Sequence, residues 1–224
     1  MKIAVLNEFF GEGVDPLIEQ QTRAMITKAE SLGATVTYID FPLLSSVVPT
    51  YYIISPAEMS TNLARFDGIR YGLQDDPSTF DSIQEYYAHI RDKGFGDEVK
   101  RRILVGTYVL SAGYYDAYYR RAQQVRKKIK MAFDALFETY DAVLGPTSPE
   151  LARTISERID DPIKSYLADI YTIPANLGGY PAINIPSGLV EKNGEQYATG
   201  IQLMAQQRRE DTLFHIGNLL ENKA

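Results

Sequence analysis

The segment Tyr166–Gly188, YLADIYTIPANLGGYPAINIPSG, holds the residues best suited to building a pocket. It carries one acid, Asp169, then passes through Ile173-Pro174, Gly178-Gly179 and Tyr180-Pro181 into the β-rich run AINIP. Glycine lets backbone approach a neighbour or ligand closely, and proline holds a bend rigid. Rigid, bent chain beside a strand can floor a binding site; an ordinary helix–turn–strand connection is the competing reading. Autonomous catalysis has less to work with. The two histidines, His89 and His215, fall on separate predicted surface helices. A histidine base needs a nucleophile within hydrogen-bond reach and a third group to orient it. The setting of His215, LFHIG, reads as that of a half-buried packing residue. No G-x-S-x-G elbow, H-E-x-x-H pair, glycine-rich phosphate loop or calcium-spaced carboxylate cluster occurs in the sequence. We therefore expect no catalytic residue, no metal ligand and no cofactor in this chain.

These residues need a frame. Lys2–Leu6 reads as a short buried strand, and Asp15-Pro16 as an N-cap with proline at the first helical position. Ile18, Met25, Ala29 and Leu32 recur at helical spacing up to Gly33, and Ala34–Ile39 is the next strand. Strand, helix, strand in this order predicts a parallel βαβ unit. Ser55-Pro56-Ala57-Glu58 reads as a capping box opening a helix through about Arg65. A polar stretch, Gln74–Ser78, precedes a helix near Thr79–Lys93; Gly94-Phe95-Gly96 breaks it. Asp97 then caps a helix to about Ser111. Tyr114–Tyr140 reads as one long helix with Tyr118, Val125, Ile129, Ala132 and Leu136 inward.

Ala142–Leu144 is a strand ending in Gly145-Pro146-Thr147, and a helix follows around Pro162–Ile170. Ala182–Val190 and Gln196–Met204 flank Asn193-Gly194, a hairpin signal. Glu210–Leu220 closes as an amphipathic helix. The expected fold class is α/β: a mixed sheet with a parallel βαβ start and a C-terminal antiparallel hairpin, flanked by helices, in a single domain over 1–224.

Composition narrows the function. Of 224 residues, 45% are hydrophobic, with 16 tyrosines and 9 phenylalanines, enough for a sizeable core. A net charge of −6 argues against nucleic-acid binding by this chain itself, because phosphate contacts need a basic face. With no cysteine, disulfides and thiolate metal sites are excluded, which fits a reducing compartment. MKIAVLNEFF lacks the apolar core of a signal peptide, and no apolar run approaches the ~20 residues of a membrane span. The expected location is cytoplasmic, with no membrane contact.

Several stretches together resemble one family. YLADIYTIPANLGGYPAINIPSG is similar to the C-terminal part of the amidase signature family. Tyr51–Gly72, YYIISPAEMSTNLARFDGIRYG, resembles the branch of glutaminase A subunits of glutamyl-tRNA(Gln)/aspartyl-tRNA(Asn) amidotransferases, where FDG(I/V)RYG is characteristic. Phe95–Arg126 resembles the family's central long-helix region, and Phe133–Pro149 and Gly200–Met204 continue the match in order. The family's serine nucleophile, second serine beside a cis peptide and lysine sit in a Gly/Ser-rich core before the segment resembling MKIAVLNEFFGEG. No GGSSGGS-like run occurs in this sequence. The resemblance therefore implies half of an amidase-signature fold, the C-terminal half, without the catalytic centre.

The implied reaction is glutamine hydrolysis: a serine attacks the side-chain amide, ammonia leaves, and the acyl-enzyme is hydrolysed. A partner subunit uses the ammonia to amidate the activated aminoacyl-tRNA. In the family an arginine on the central helix and an aspartate just before T-I-P-x-N hold the α-carboxylate and α-ammonium of glutamine. A planar guanidinium suits the first and a carboxylate the second. Carried over, the aspartate is Asp169 and the arginine falls within Arg101-Arg102. Adjacent helical residues diverge by about 100°, so at most one arginine faces the pocket. Arg102 is favoured. Tyr52 is a third candidate for substrate binding.

The competing readings are an exposed helix-end acid for Asp169, a surface ion pair for Arg102, and a buried, hydroxyl-anchored tyrosine for Tyr52. The tyrosines of GYYDAYY read as helix packing, and Arg120–Lys130 as a solvated helix face. Tyr180 departs from the small aliphatic residue common at its place, and residues 150–160 match poorly, as a variable loop would. Implied partners are the N-terminal amidase half, the B and C subunits, glutamine, and tRNA only through those subunits. Two other readings stand beside this one: a non-catalytic module docking on partner subunits, and half of another amidase-signature hydrolase. FDGIRYG favours the tRNA amidotransferase branch over the latter.

Overall fold

In the computed structural model, which describes residues 1–11, 13–154 and 162–222, the strands are β1 (Lys2–Leu6), β2 (Thr35–Ile39), β3 (Ala142–Pro146), β4 (Ala182–Lys192) and β5 (Glu195–Ala205). The helices, in chain order, are α1 (Pro16–Ser31), α2 (Val47–Asn62), α3 (Ile83–Gly94), α4 (Asp97–Leu110), α5 (Arg121–Phe137), α6 (Pro162–Leu167), α7 (Ile173–Gly178) and α8 (Glu210–Asn222). The chain divides into two compact units, Met1–Val48 with Arg126–Ala224, and Pro49–Val125.

The first unit is built on a five-stranded sheet ordered β2-β1-β3-β5-β4. β1 pairs in parallel with β2 and β3, while β5 runs antiparallel to β3 and β4. The expected α/β class, parallel βαβ start and C-terminal hairpin are all present. Local chemistry explains why. Asp15 caps α1 by accepting from the Leu17 N–H, with Pro16 at the first helical position. The hairpin turns on Asn193 and Gly194, both at positive φ (56° and 81°), the pair of left-handed residues a two-residue type I′ turn demands.

Strand side chains alternate between faces. On one face, Ile3, Val5, Leu144, Ile185, Ile201 and Leu203 form a core with Met25, Ile26 and Ala29 of α1 and Leu213, Ile216 and Leu220 of α8. Ala4, Leu6, Val143 and Met204 of the opposite face are buried too. The same unit buries the aromatic group Phe41, Phe133, Phe137 and Tyr180, where Phe133 lies 4.4 Å from Phe41 and 5.9 Å from Tyr180 between ring centroids.

Helix boundaries bring corrections. α2 begins at Val47 rather than at Ser55, because VVPTYYII extends it upstream with Pro49 in the first turn, where a missing N–H costs nothing. Pro56 therefore lies inside the helix. Gly96, not Asp97, is the N-cap of α4, and Asp97 becomes its first residue. The single helix expected over Tyr114–Tyr140 is a π-helical turn, Tyr115–Arg120, followed by α5. The wider π turn shifts the phase. Tyr118 is therefore exposed; within the regular α5 the inward stripe is Ala122, Ile129, Phe133 and Phe137, with Ala132 and Leu136 half-buried on its flank. In the variable loop expected at 150–160, Arg153 pairs with Glu150 at 2.6 Å; residues 155–160 lie outside the described residues.

Candidate functional site

The unit Pro49–Val125 brings α2 and α4 together at a close backbone approach. A Cβ added at Gly106 would sit 2.0 Å from the carbonyl oxygen of Pro56, so only glycine lets the helices meet here. One turn before Pro56 on α2 is Tyr52, and one turn before Gly106 on α4 is Arg102. The Arg102 guanidinium consequently lies 5.5 Å from the centroid of the Tyr52 ring. Tyr51 packs edge-on against Tyr52 at 5.2 Å.

Glu98 fixes the guanidinium. Arg102 Nε donates to Glu98 Oε1 at 2.8 Å, and Arg101 donates to the other carboxylate oxygen. The two arginines diverge as helical geometry requires. Arg102 is 25% exposed and Arg101 52% exposed at the side chain. Burial lowers the Arg102 pKa, but the Glu98 hydrogen bond and charge outweigh it, so the value is raised. Burial likewise opposes the ionisation of Glu98, and the two arginines together hold its pKa below the usual value. Both groups are charged at neutral pH.

Asp169 lies in the other unit, in the turn between α6 and α7. Its main-chain carbonyl closes that turn, accepting from the N–H groups of Thr172 and Ile173, each at 3.0 Å, and from Thr172 Oγ1 at 3.1 Å. Asp169 itself is exposed, while Ile173 and Pro174 are buried and anchor the start of α7. Two residues on, the Tyr171 carbonyl accepts from Gln202 Nε2 of β5 at 2.8 Å, and the Tyr171 ring stands edge-on to Phe9 at 5.2 Å. Gln202 is the cross-strand partner of Asn184, whose amide oxygen accepts from Thr147 Oγ1. Thr147, Asn184, Thr199 and Glu150 line an open cavity of about 430 Å³ in this unit. Its walls offer hydroxyl, amide and carboxylate groups for hydrogen bonding.

Other expectations meet different outcomes. His215 is exposed on α8 rather than half-buried, because Leu213, Ile216 and Leu220 take the inward positions. His89 pairs with Asp75 at 3.3 Å and lies against Phe80. Tyr114, Tyr115 and Tyr118 of GYYDAYY are exposed and pack ring against ring, with Tyr114 and Tyr118 tilted against Tyr108 at 4.3 and 6.3 Å between centroids. Within Arg120–Lys130, Arg121, Lys127 and Lys128 are solvated, whereas Arg126 donates to the Leu177 carbonyl at 2.8 Å. Tyr180 is buried, and its hydroxyl lies 2.7 Å from Asp134 Oδ1 and 2.9 Å from the Lys130 carbonyl. Burial, then the Asp134 carboxylate, raise its pKa far above the ordinary 10.0. Sequence reasoning missed Glu98, although its spacing of four residues from Arg102 is the helical ion-pair spacing. Among the described residues, no helix is long and apolar enough to cross a membrane, and no three of His, Cys, Asp and Glu cluster as metal ligands.

A family model described as Amidase matches residues 1–214. The chain belongs to the amidase family. Among proteins similar to this amidase chain is the A subunit of the glutamyl-tRNA(Gln) amidotransferase of Microcystis aeruginosa, 46% identical over 221 residues. That match takes in 99% of this chain and 44% of the relative. The corresponding A subunit of Desulforamulus reducens is 48% identical over 221 residues, with 99% and 44% covered. The crystal structure of the Thermotoga maritima A subunit superposes with a TM-score of 0.73 at 35% identity, over 100% of this chain and 42% of that one. A crystal structure described as an amidase, 18% identical, shares the fold with a TM-score of 0.70 over 98% of this chain and 44% of its own. The chain thus spans less than half the length of the relatives it matches.

Proposed function

We propose that this chain is the C-terminal portion of the glutaminase (A) subunit of a glutamyl-tRNA(Gln)/aspartyl-tRNA(Asn) amidotransferase, forming one partial amidase domain over 1–224. The observation that carries this reading is the 46% identity to a glutamyl-tRNA(Gln) amidotransferase A subunit running over 99% of the chain. In this reading Arg102 receives the α-carboxylate of glutamine. With Nε committed to Glu98, the outer edge of its fork meets the substrate, and the Tyr52 ring backs the guanidinium. Asp169 receives the α-ammonium. The serine nucleophile, its paired serine and the lysine come from the N-terminal half, and the B and C subunits take the ammonia to the aminoacyl-tRNA. What supports these roles is the resemblance, together with the charged, clamped state of Arg102.

The test is ammonia release from glutamine by this chain alone, by an N-terminal half alone, and by the two mixed. Alone, the chain should be inactive, because no nucleophile-and-base motif occurs in its sequence. The mixture hydrolyses glutamine. Silence from a mixture that forms a stable complex would favour the non-catalytic docking module, whereas turnover of simple amides but not glutamine would favour another amidase-signature hydrolase.

A further inference from the structure

The helix that carries Arg102 has a second apolar face. Leu104, Val105 and Tyr108 follow Arg101 at the i, i+3, i+4, i+7 spacing of a single helical stripe. Leu104 is 71% exposed and Tyr108 48% exposed. The stripe continues beyond the helix, since the Tyr114 and Tyr118 rings lie against Tyr108 and are themselves exposed. Arg101 is the charge on this face, and it is already paired with Glu98. The inner face is closed by α2 at Pro56 and Gly106, so the outer stripe is not an alternative seat for that helix. A helix apolar on both sides is one whose two sides are both covered, and an exposed contiguous apolar patch marks an interaction surface.

We infer that this outer face, Leu104–Val105–Tyr108 extended by Tyr114 and Tyr118, docks the part of the amidase polypeptide that the relatives carry and this chain does not. The inference rests on the glutaminase-subunit reading above. Three observations choose this occupant. The relatives match 99% of this chain but only 44% of their own length, so most of an amidase chain is available to lie on it. Aliphatic and aromatic side chains with a paired cation give a surface like half of a protein core, the character of permanent interfaces. A nucleic acid is disfavoured by the net charge of −6 and by the absence of any unpaired cation on the stripe among the described residues.

The chain has no cysteine, so Leu104→Cys introduces a single thiol. Maleimide labelling of this variant is followed in the full chain alone and with a cysteine-free N-terminal half of the Microcystis aeruginosa A subunit. Tyr108→Cys serves as a second probe should the first misfold. Phe214→Cys, at a 65% exposed position on α8, is the control. The added half should slow labelling at positions 104 and 108 by at least about tenfold, since thiol reactivity follows access, and leave position 214 unchanged. Unaltered labelling at 104 and 108 in a mixture that forms a complex overturns the inference, as does failure of any complex to form. Protection that already grows with concentration of the chain alone assigns the face to a second copy and also overturns it. Glutaminase assays on the same mixture separate the two readings. Protection without ammonia release keeps the docking face and removes the glutaminase reading; ammonia release with full labelling does the reverse.

Discussion

Arg102 and Glu98 are joined across one turn of α4 by a 2.8 Å hydrogen bond through Nε, while Arg101 pairs with the same carboxylate from the solvent side. Glu98 therefore orients the inner arginine with its charge shared between two cations. In the assembled enzyme, Glu98→Ala should release Arg102 and raise KM for glutamine about tenfold with kcat nearly unchanged, the loss of roughly 1.4 kcal/mol of ground-state binding. Glu98→Gln keeps an acceptor and should recover part of that loss. A fall in kcat at constant KM, or no recovery in Glu98→Gln, would mark Glu98 as merely structural.

Gly106 tests the frame beneath that pair. Alanine favours a helix by about 1 kcal/mol over glycine, so the substitution would ordinarily stabilise. Here the new Cβ would fall 2.0 Å from the Pro56 carbonyl oxygen, which belongs to backbone and cannot swing aside. Gly106→Ala should instead destabilise the chain by about 1–3 kcal/mol through overpacking and separate Tyr52 from Arg102. Urea unfolding gives the sign directly, and a gain in stability would mean that α2 and α4 are not in close contact in solution.

What could be foreseen here was whatever local chemistry decides. The cap Asp15-Pro16 and the turn Asn193-Gly194 each dictate backbone geometry within a few residues, so the βαβ start and the hairpin were legible. The divergence of Arg101 and Arg102 was legible from helix rotation alone. Pro56 misled because proline reads as a first-turn residue, and only its packing on Gly106 reveals an interior position. Tyr118 misled for another reason. Periodicity assumes a constant 3.6-residue turn, and the π turn at Tyr115–Arg120 breaks that count. Periodicity also cannot say whether a second polypeptide covers an apolar face.

Asp134 gives a pH dependence. The Lys130 hydrogen bond, the largest effect, together with the Tyr180 hydroxyl and the Lys130 charge, outweighs the opposing effect of burial and holds its pKa below 3.8. A carboxylate with a depressed folded-state pKa contributes stability above its unfolded value and loses it as pH falls through the folded value. Asp134→Asn should therefore be less stable than the parent at neutral pH, with the gap closing as pH drops below about 4. The gap is modest, about 1 kcal/mol or less, because the Asp134 side chain is 46% exposed and solvent screens the pair. Unfolding curves across that range would show it, and a gap that stayed constant down to low pH would contradict the assignment.

Asp169 carries the sharpest test of substrate recognition. The turn around it is closed by its main-chain carbonyl, bonded to Thr172 and Ile173, and asparagine preserves that carbonyl and the side-chain shape. Asp169→Asn in the assembled enzyme thus removes a charge with little change of form. Losing a charge-assisted hydrogen bond costs about 1.5–3 kcal/mol, or roughly ten- to a hundredfold in kcat/KM. The loss should be large for glutamine and small for an amide without an α-ammonium, which offers Asp169 nothing to bind. Equal losses for both substrates would assign Asp169 to the structure of the turn into α7, and no loss for either would remove it from the substrate site altogether.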